Sequence, residues 1–308
     1  MSRVINGRSG VAPETVIAVR RAMKEVGYTP SARRPGPKPS DRNGVSTGNV
    51  GLLMIGTDAM FARAPVTAAV FHAVEQSLAE KGFNLIVGQV DDAGRLPPYV
   101  ARGQIDGLLL HGYAPSAAVR RTLERHPSVW LLSQRSARGY WGDRVCPDNE
   151  LIGRTAAEYL VAERGYRRVA YLYFSATHSG FRQRAEAFVD TAADYGAEAQ
   201  VIPDENLTMV ARLRRSAEIG EDETDQMVEM LLSQNPMPEA VFVPRDRLVV
   251  KVYRALRRRG IEPGRDLEIM SCDDEPILDA LDPRPTTIDV RPDLIGRQAV
   301  DIYTSGRS

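Results

Sequence analysis

At 308 residues the chain exceeds what a single core of about 100–150 residues usually serves, so two or three folding units are expected. Its 43% hydrophobic and 26% charged content excludes a disordered or collagen-like chain, and the longest apolar runs, 50–56 and 105–110, fall far short of the roughly 20 residues of a membrane span. The net charge of zero hides an asymmetry: residues 1–44 carry nine Lys/Arg against three acids, the remainder 31 against 37. A basic head suited to a polyanion, or simply a solvated basic tail, precedes a mildly acidic body.

The first expected element is a helix over 13–26. Val16, Val19, Ala22, Met23 and Val26 recur at helical spacing, Pro13 suits a first turn and Gly27 a C-cap. Pro30, Pro35, Pro37 and Pro39 then forbid a continuous helix, and Arg33, Arg34 and Lys38 repel one another, so 31–48 reads as an extended linker. From Asn49 onward apolar runs alternate with amphipathic stretches. Strands are expected at 50–55, 84–89, 107–110, 129–132, 169–173, 199–202, 240–243 and 267–271. Helices are expected at 64–81, 116–125, 151–164, 182–195, 223–234 and 248–259. This alternation predicts an α/β fold of parallel sheets with flanking helices, wound as two lobes. The aromatic, Gly- and Pro-containing segment 140–149 is the expected lobe boundary, and 282–285 the second crossing. The N-lobe would then comprise about 49–147 and 286–308, the C-lobe about 148–285, with a ligand cleft between them that closes by hinge motion.

Catalytic motifs are missing from the sequence. It contains no G-x-G-x-x-G, Walker loop or G-x-S-x-G, and His72, His111, His126 and His178 lack metalloprotease spacing. His178 and Ser179 are adjacent, and neighbours in sequence rarely face each other. His111 reads as a loop residue after a strand, with the cleft as the alternative. Cys146 and Cys272 stand far apart and read as buried thiols of a reducing cytosol. No enzyme activity, cofactor or metal is therefore expected. Without an apolar export signal after Met1, a cytoplasmic location is.

Ser2-Arg3-Val4-Ile5-Asn6-Gly7, the helix over 13–26 and Gly27-Tyr28-Thr29-Pro30 together resemble the end of the helix-turn-helix headpiece of the lactose repressor (LacI/GalR) family. The body agrees in Val145-Cys146-Pro147-Asp148-Asn149, Gly165-Tyr166-Arg167-Arg168-Val169-Ala170, Arg184 before Phe188, Asp246, Asp273-Asp274 and Pro285-Thr286-Thr287-Ile288. This resemblance implies a transcriptional regulator, expected to repress, with a partial headpiece over 1–30, a linker over 31–48 and a two-lobed sensor over 49–308. The sensor would resemble periplasmic sugar-binding proteins and work as a homodimer on operator DNA, with no membrane partner. A solute-binding protein of the same fold is the alternative; it would need an export signal.

The resemblance also assigns residues. Arg3 would contact base edges, while Ser2 and Asn6 would make phosphate or structural contacts. Arg184, Asp246 and Asp273 would contact a small, carbohydrate-derived effector, since carboxylates accept from hydroxyls and a guanidinium donates. Asp148 and Phe61 are weaker candidates, Phe61 as an apolar wall or a core residue. Departures from the family are equally informative. The first helix, the turn and most of the recognition helix should precede Ser2, which reads as an N-terminal truncation, and relatives continue into a closing helix and strand after residues 294–300. The Pro-rich linker cannot form the family's hinge helix, so Arg33 and Arg34 would track a minor groove or serve as a tether. Arg245 stands where relatives often carry an amide, and Ser271-Cys272 replaces a glycine-aromatic pair. The added cation would pair with Asp246 or select an acidic ligand.

Overall fold

The computed structural model describes residues 12–25, 46–56, 65–91, 94–132, 140–172, 179–202 and 220–306. It divides into two units, residues 1–47 and 48–308. In the first, helix α1 (Pro13–Glu25) half-buries Val16, Val19 and Met23 along one stripe and leaves Ile17 exposed. Its first turn closes through Thr15 N–H donating to the Ala12 carbonyl at 3.0 Å. Ser2, Arg3, Asn6, Arg33, Arg34 and Phe61, all named as site candidates, lie outside the described residues.

The second unit holds two five-stranded sheets with every pairing parallel. The first has the order β2-β1-β3-β4-β5, from β1 (Asn49–Ile55), β2 (Asn84–Val90), β3 (Gly107–Gly112), β4 (Ser128–Leu131) and β5 (Asp143–Val145). The second has the order β10-β9-β8-β6-β7, from β6 (Arg168–Leu172), β7 (Glu198–Ile202), β8 (Ala240–Phe242), β9 (Glu268–Cys272) and β10 (Thr286–Ile288). Central strands are apolar almost throughout, β1 burying its last six residues, because helices cover both faces and leave no solvent side for polar alternation. The helices are α2 (Pro65–Glu80), α3 (Pro98–Ala101), α4 (Ala117–Leu123), α5 (Asn149–Ala157), α6 (Ser179–Asp194), α7 (Glu221–Leu232), α8 (Asp246–Arg258) and α9 (Pro292–Ser305). A wider turn, Glu158–Glu163, continues α5, with Arg164 N–H reaching the Tyr159 carbonyl at 3.0 Å. Among the described residues no helix is long and apolar enough to cross a membrane.

Sequence order and spatial order diverge at one place in each sheet. After β1 the chain moves outward to β2 and then returns to the other side as β3; β6, β7 and β8 repeat the pattern. At such a reversal the loops leaving the strand carboxyl ends part in opposite directions, which opens room for a ligand.

Two short strands, β5 and β10, were not foreseen, and β10 corrects the second crossing. Thr286, Thr287 and Ile288 pair with Met270, Ser271 and Cys272, so these residues belong to the second sheet and the chain leaves it after Ile288, not at Pro285. The connecting residues end at Arg291, held in the left-handed region with φ 54°. Helix α9 then joins the first lobe, where Ile295, Ala299, Val300 and Tyr303 share a core with Val70, Val74 and Leu109. Gly296 permits this approach: a Cβ there would lie 2.7 Å from the Val70 carbonyl oxygen and 2.6 Å from Ala73 Cβ.

Candidate functional site

A group of deeply buried charged and polar side chains of the second lobe gathers at the carboxyl ends of β8 and β9. Arg184 projects from α6, which buries Phe181, Ala185, Phe188 and Ala192 on the same side, and only 6% of it is exposed. A buried guanidinium is tolerable only if its N–H groups find acceptors. Nε donates to Asn149 Oδ1 at 2.8 Å, and Nη1 donates to the Pro244 carbonyl at 3.0 Å and to Cys272 Sγ at 3.4 Å. The guanidinium carbon also sits 5.3 Å from the Phe181 ring centroid, a cation–π contact. Burial pulls against its charge, but the fields of Cys272, Asp273 and Tyr171 outweigh it and hold Arg184 above the ordinary arginine value. Nη2 has no hydrogen-bond partner among the described residues.

Asn149 reaches Arg184 because α5 and α6 touch closely: a Cβ on Gly153 would collide with the Arg184 carbonyl oxygen and lie 3.0 Å from Ala187 Cβ. The neighbouring Asp148 does something else. It is exposed and caps α5, its Oδ1 accepting from Leu151 N–H at 3.0 Å. A short acceptor side chain before a helix satisfies a free N–H in this way.

Asp273 follows β9 on a partly exposed turn with φ 123°, and Asp274 follows with φ 53°. Burial by surrounding protein lifts the Asp273 carboxyl to about 7; Arg184 and Arg245 oppose the rise, while Asp246 and Glu275 add to it. The cation at 245 therefore acts on Asp273.

Asp246, the first residue of α8, is fully buried, and both carboxylate oxygens are engaged. Oδ1 accepts from Ser271 Oγ and from Thr287 Oγ1 at 3.1 Å; Oδ2 accepts from Glu275 N–H at 2.6 Å. Burial raises it to about 6 even though all three donors favour the charged form. Both oxygens of Asp246 are thus given to the protein's own donors. Glu275, 4% exposed, pairs with Arg247 at 3.3 Å. Cys272, fully buried, has its thiol pushed up by burial, so it stays a neutral acceptor beside Arg184.

In the first lobe, His111 lies within β3, on the strand facing the chain reversal, and not in the following loop. Its Nδ1 bonds the Leu131 carbonyl at 3.1 Å and its ring stands edge-on to Phe71 at 5.5 Å. Burial lowers its pKa, the backbone bond opposing, which favours the neutral ring. Among the described residues no group of His, Cys, Asp and Glu is arranged to hold a metal.

Asn149 and Thr287 escaped the sequence reading as site residues, whereas Ser271 drew notice only as a departure beside Asp273. The signal for Asn149 was its place at the start of an amphipathic helix after Pro147. Thr287 carried none, because its partner lies on another element.

A periplasmic binding protein-like domain model matches residues 157–306. The ribose operon repressor of Escherichia coli K12 is 24% identical over 306 residues, covering 98% of this chain and 87% of that protein. The transcriptional regulator CelR in complex with cellobiose superposes with a TM-score of 0.66 at 23% identity, covering 100% of this chain and 89% of that one. A LacI family transcriptional regulator from Mycobacterium smegmatis superposes at 0.63 and 23% identity, covering 83% and 90%. With the two parallel sheets and their reversals, these likenesses show a two-lobed periplasmic binding protein-like fold, similar along nearly its whole length to transcriptional regulators of the lactose repressor type.

Proposed function

We propose that the protein is a DNA-binding transcriptional repressor whose operator affinity is set by a sugar or sugar derivative held between its two lobes. One observation carries the effector half of this reading: Arg184, which gives Nε and Nη1 to the protein and has no Nη2 bond among the described residues, acts electrostatically on Asp273, a carboxyl acceptor that also feels Arg245. A fixed donor next to a fixed acceptor matches the alternating demands of neighbouring hydroxyls on a polyol. From the first lobe His111 would add an acceptor: with Nδ1–H given to the Leu131 carbonyl, its other ring nitrogen is the one to accept from a hydroxyl.

Two relatives support the ligand class: one is named for the ribose operon, and one was solved with cellobiose. The DNA half rests on the basic head, where Ser2, Arg3 and Asn6 would meet the operator and Arg33 and Arg34 the groove or backbone beside it. A homodimer would match a palindromic site. An effector that prefers one lobe arrangement then shifts operator affinity by linkage.

The test has two stages. Thermal unfolding is measured with D-ribose, cellobiose, D-gluconate and a hexose phosphate; a ligand at about 100 times its Kd should stabilise the body by about 2.7 kcal/mol. Operator selection from random DNA at fixed salt is then run with and without that ligand. Loss of the stabilisation in Arg184→Met supports the reading. Full retention of it in that variant, or selected DNA that ignores every ligand found to bind, overturns it.

A further inference from the structure

The turn after β9 holds two consecutive non-glycine residues in positions that L side chains disfavour, Asp273 at φ 123° and Asp274 at φ 53°. Such conformations persist only where surrounding contacts over-determine them. Here every backbone N–H of the turn is tied. Asp273 N–H donates to the Ile288 carbonyl at 2.9 Å, Asp274 N–H to Thr287 Oγ1 at 3.3 Å, and Glu275 N–H to Asp246 Oδ2 at 2.6 Å. Thr287 Oγ1 in turn donates to Asp246 Oδ1, which also takes the Ser271 hydroxyl. One buried carboxylate therefore joins the head of α8, both strands β9 and β10, and the turn that carries Asp273.

We infer that Asp246 is a positioning residue: without touching ligand, it clamps the 273–275 turn in its strained conformation and so aims Asp273 at the space beside Arg184. The clamp ends on β10, the strand from which the chain departs for the first lobe, so the ligand-facing turn and the lobe connection are fixed to the same carboxylate. This deepens the effector-site reading and rests on it for its meaning. Its test uses no effector, so the two fail separately.

Two variants of the full chain separate the clamp from mere charge. Asp246→Asn removes the charge and one acceptor; Thr287→Val removes only the hydroxyl that links Asp274 to Asp246. Backbone amide exchange at 273–275 and the ¹³C titration of the Asp273 carboxyl are measured in each, with exchange in β6 and β8 as the control for global folding. The charged groups acting on Asp273 are Arg184 from α6, Arg245 and Asp246 at the head of α8, and Cys272 and Glu275 from its own segment.

In both variants the Asp274 and Glu275 amides should exchange at least tenfold faster while the β6 and β8 amides keep their protection. The Asp273 titration should move toward the ordinary carboxylate range in Thr287→Val as well as in Asp246→Asn, because a relaxed turn lets the carboxyl reach solvent. A titration that moves in Asp246→Asn alone would reduce the effect to charge through space and overturn the positioning role, as would unchanged exchange at 274 and 275. Should Asp246→Asn fail to fold, Thr287→Val decides the matter by the same two readouts.

Discussion

Replacing Asn149 with alanine removes an acceptor from a guanidinium that is 6% exposed. The Nε–H, bonded at 2.8 Å in the native protein, would be left inside without a partner, and the bond from Nδ2 to the Pro147 carbonyl at 3.2 Å would go as well. A hydrogen bond to a charged group contributes about 1.5–3 kcal/mol, and the neutral one roughly 0.5–1.5. The neutral bond is discounted because Pro147 borders solvent, which puts the expected loss at about 2–3 kcal/mol. For a body of this size that is a fall of roughly 4–12 °C in Tm. Asn149→Asp sharpens the reasoning. It keeps an acceptor for Nε and sacrifices only the Pro147 bond, so it should recover most of the loss while adding a carboxylate near Asp273. Urea unfolding followed by tryptophan fluorescence and by circular dichroism gives both numbers. If Asn149→Ala unfolds within about 0.5 kcal/mol of the native chain, Arg184 is not held as described and the site loses its anchor.

The two raised carboxyls fix the sign of a pH effect. Asp246 at about 6 and Asp273 at about 7 bind protons more tightly folded than unfolded, where carboxyls sit near 3.9. Their contribution therefore opposes folding above the folded values and vanishes below the unfolded one, so this part of the stability should decline from pH 4 to pH 7 by an amount on the order of a few kcal/mol. Asp273→Asn should flatten that decline, and an unchanged pH–stability curve would contradict the assignment. At Gly153, alanine would drive a methyl into the Arg184 backbone and part α5 from α6, costing about 1–3 kcal/mol and loosening the Asn149 bond; equal stability in a melting experiment would argue against so close an approach. Arg291→Gly relieves a left-handed residue whose ion pairs with Asp289 and Asp293 are exposed, so chemical denaturation should show stability unchanged or raised by up to about 1 kcal/mol, and a clear loss would be inconsistent with strain there.

Long apolar strands and amphipathic helices were legible because their period is local: each of the eight expected strands overlaps an observed one, from β1 to β9 with β5 excepted. The elements that escaped were those whose reason is elsewhere in space. Three residues of β10 carry no periodicity of their own and exist because β9 offers an open edge. The sequence sent the segment of α9 back to the first lobe but did not show the close approach of Gly296 to α2 that seats it there. At the site, residue type marked Arg184, Asp246 and Asp273 alike, whereas the bonds that hold Asp246 come from hydroxyls 25 and 41 positions away along the chain. Chemistry could be read from the sequence, but not which of these groups the protein's own donors would occupy.

The passage of the chain through the second sheet before it closes the first has a bearing on biosynthesis. Everything between Asn149 and Ile288 that builds the second lobe leaves the ribosome as one uninterrupted stretch, while the first lobe, begun a hundred residues earlier, waits for α9 to bring Ile295, Ala299, Val300 and Tyr303. The earlier-made lobe is thus the later-finished one. Val70, Val74 and Leu109 wait without that cover, open to chaperones, proteases and neighbouring chains.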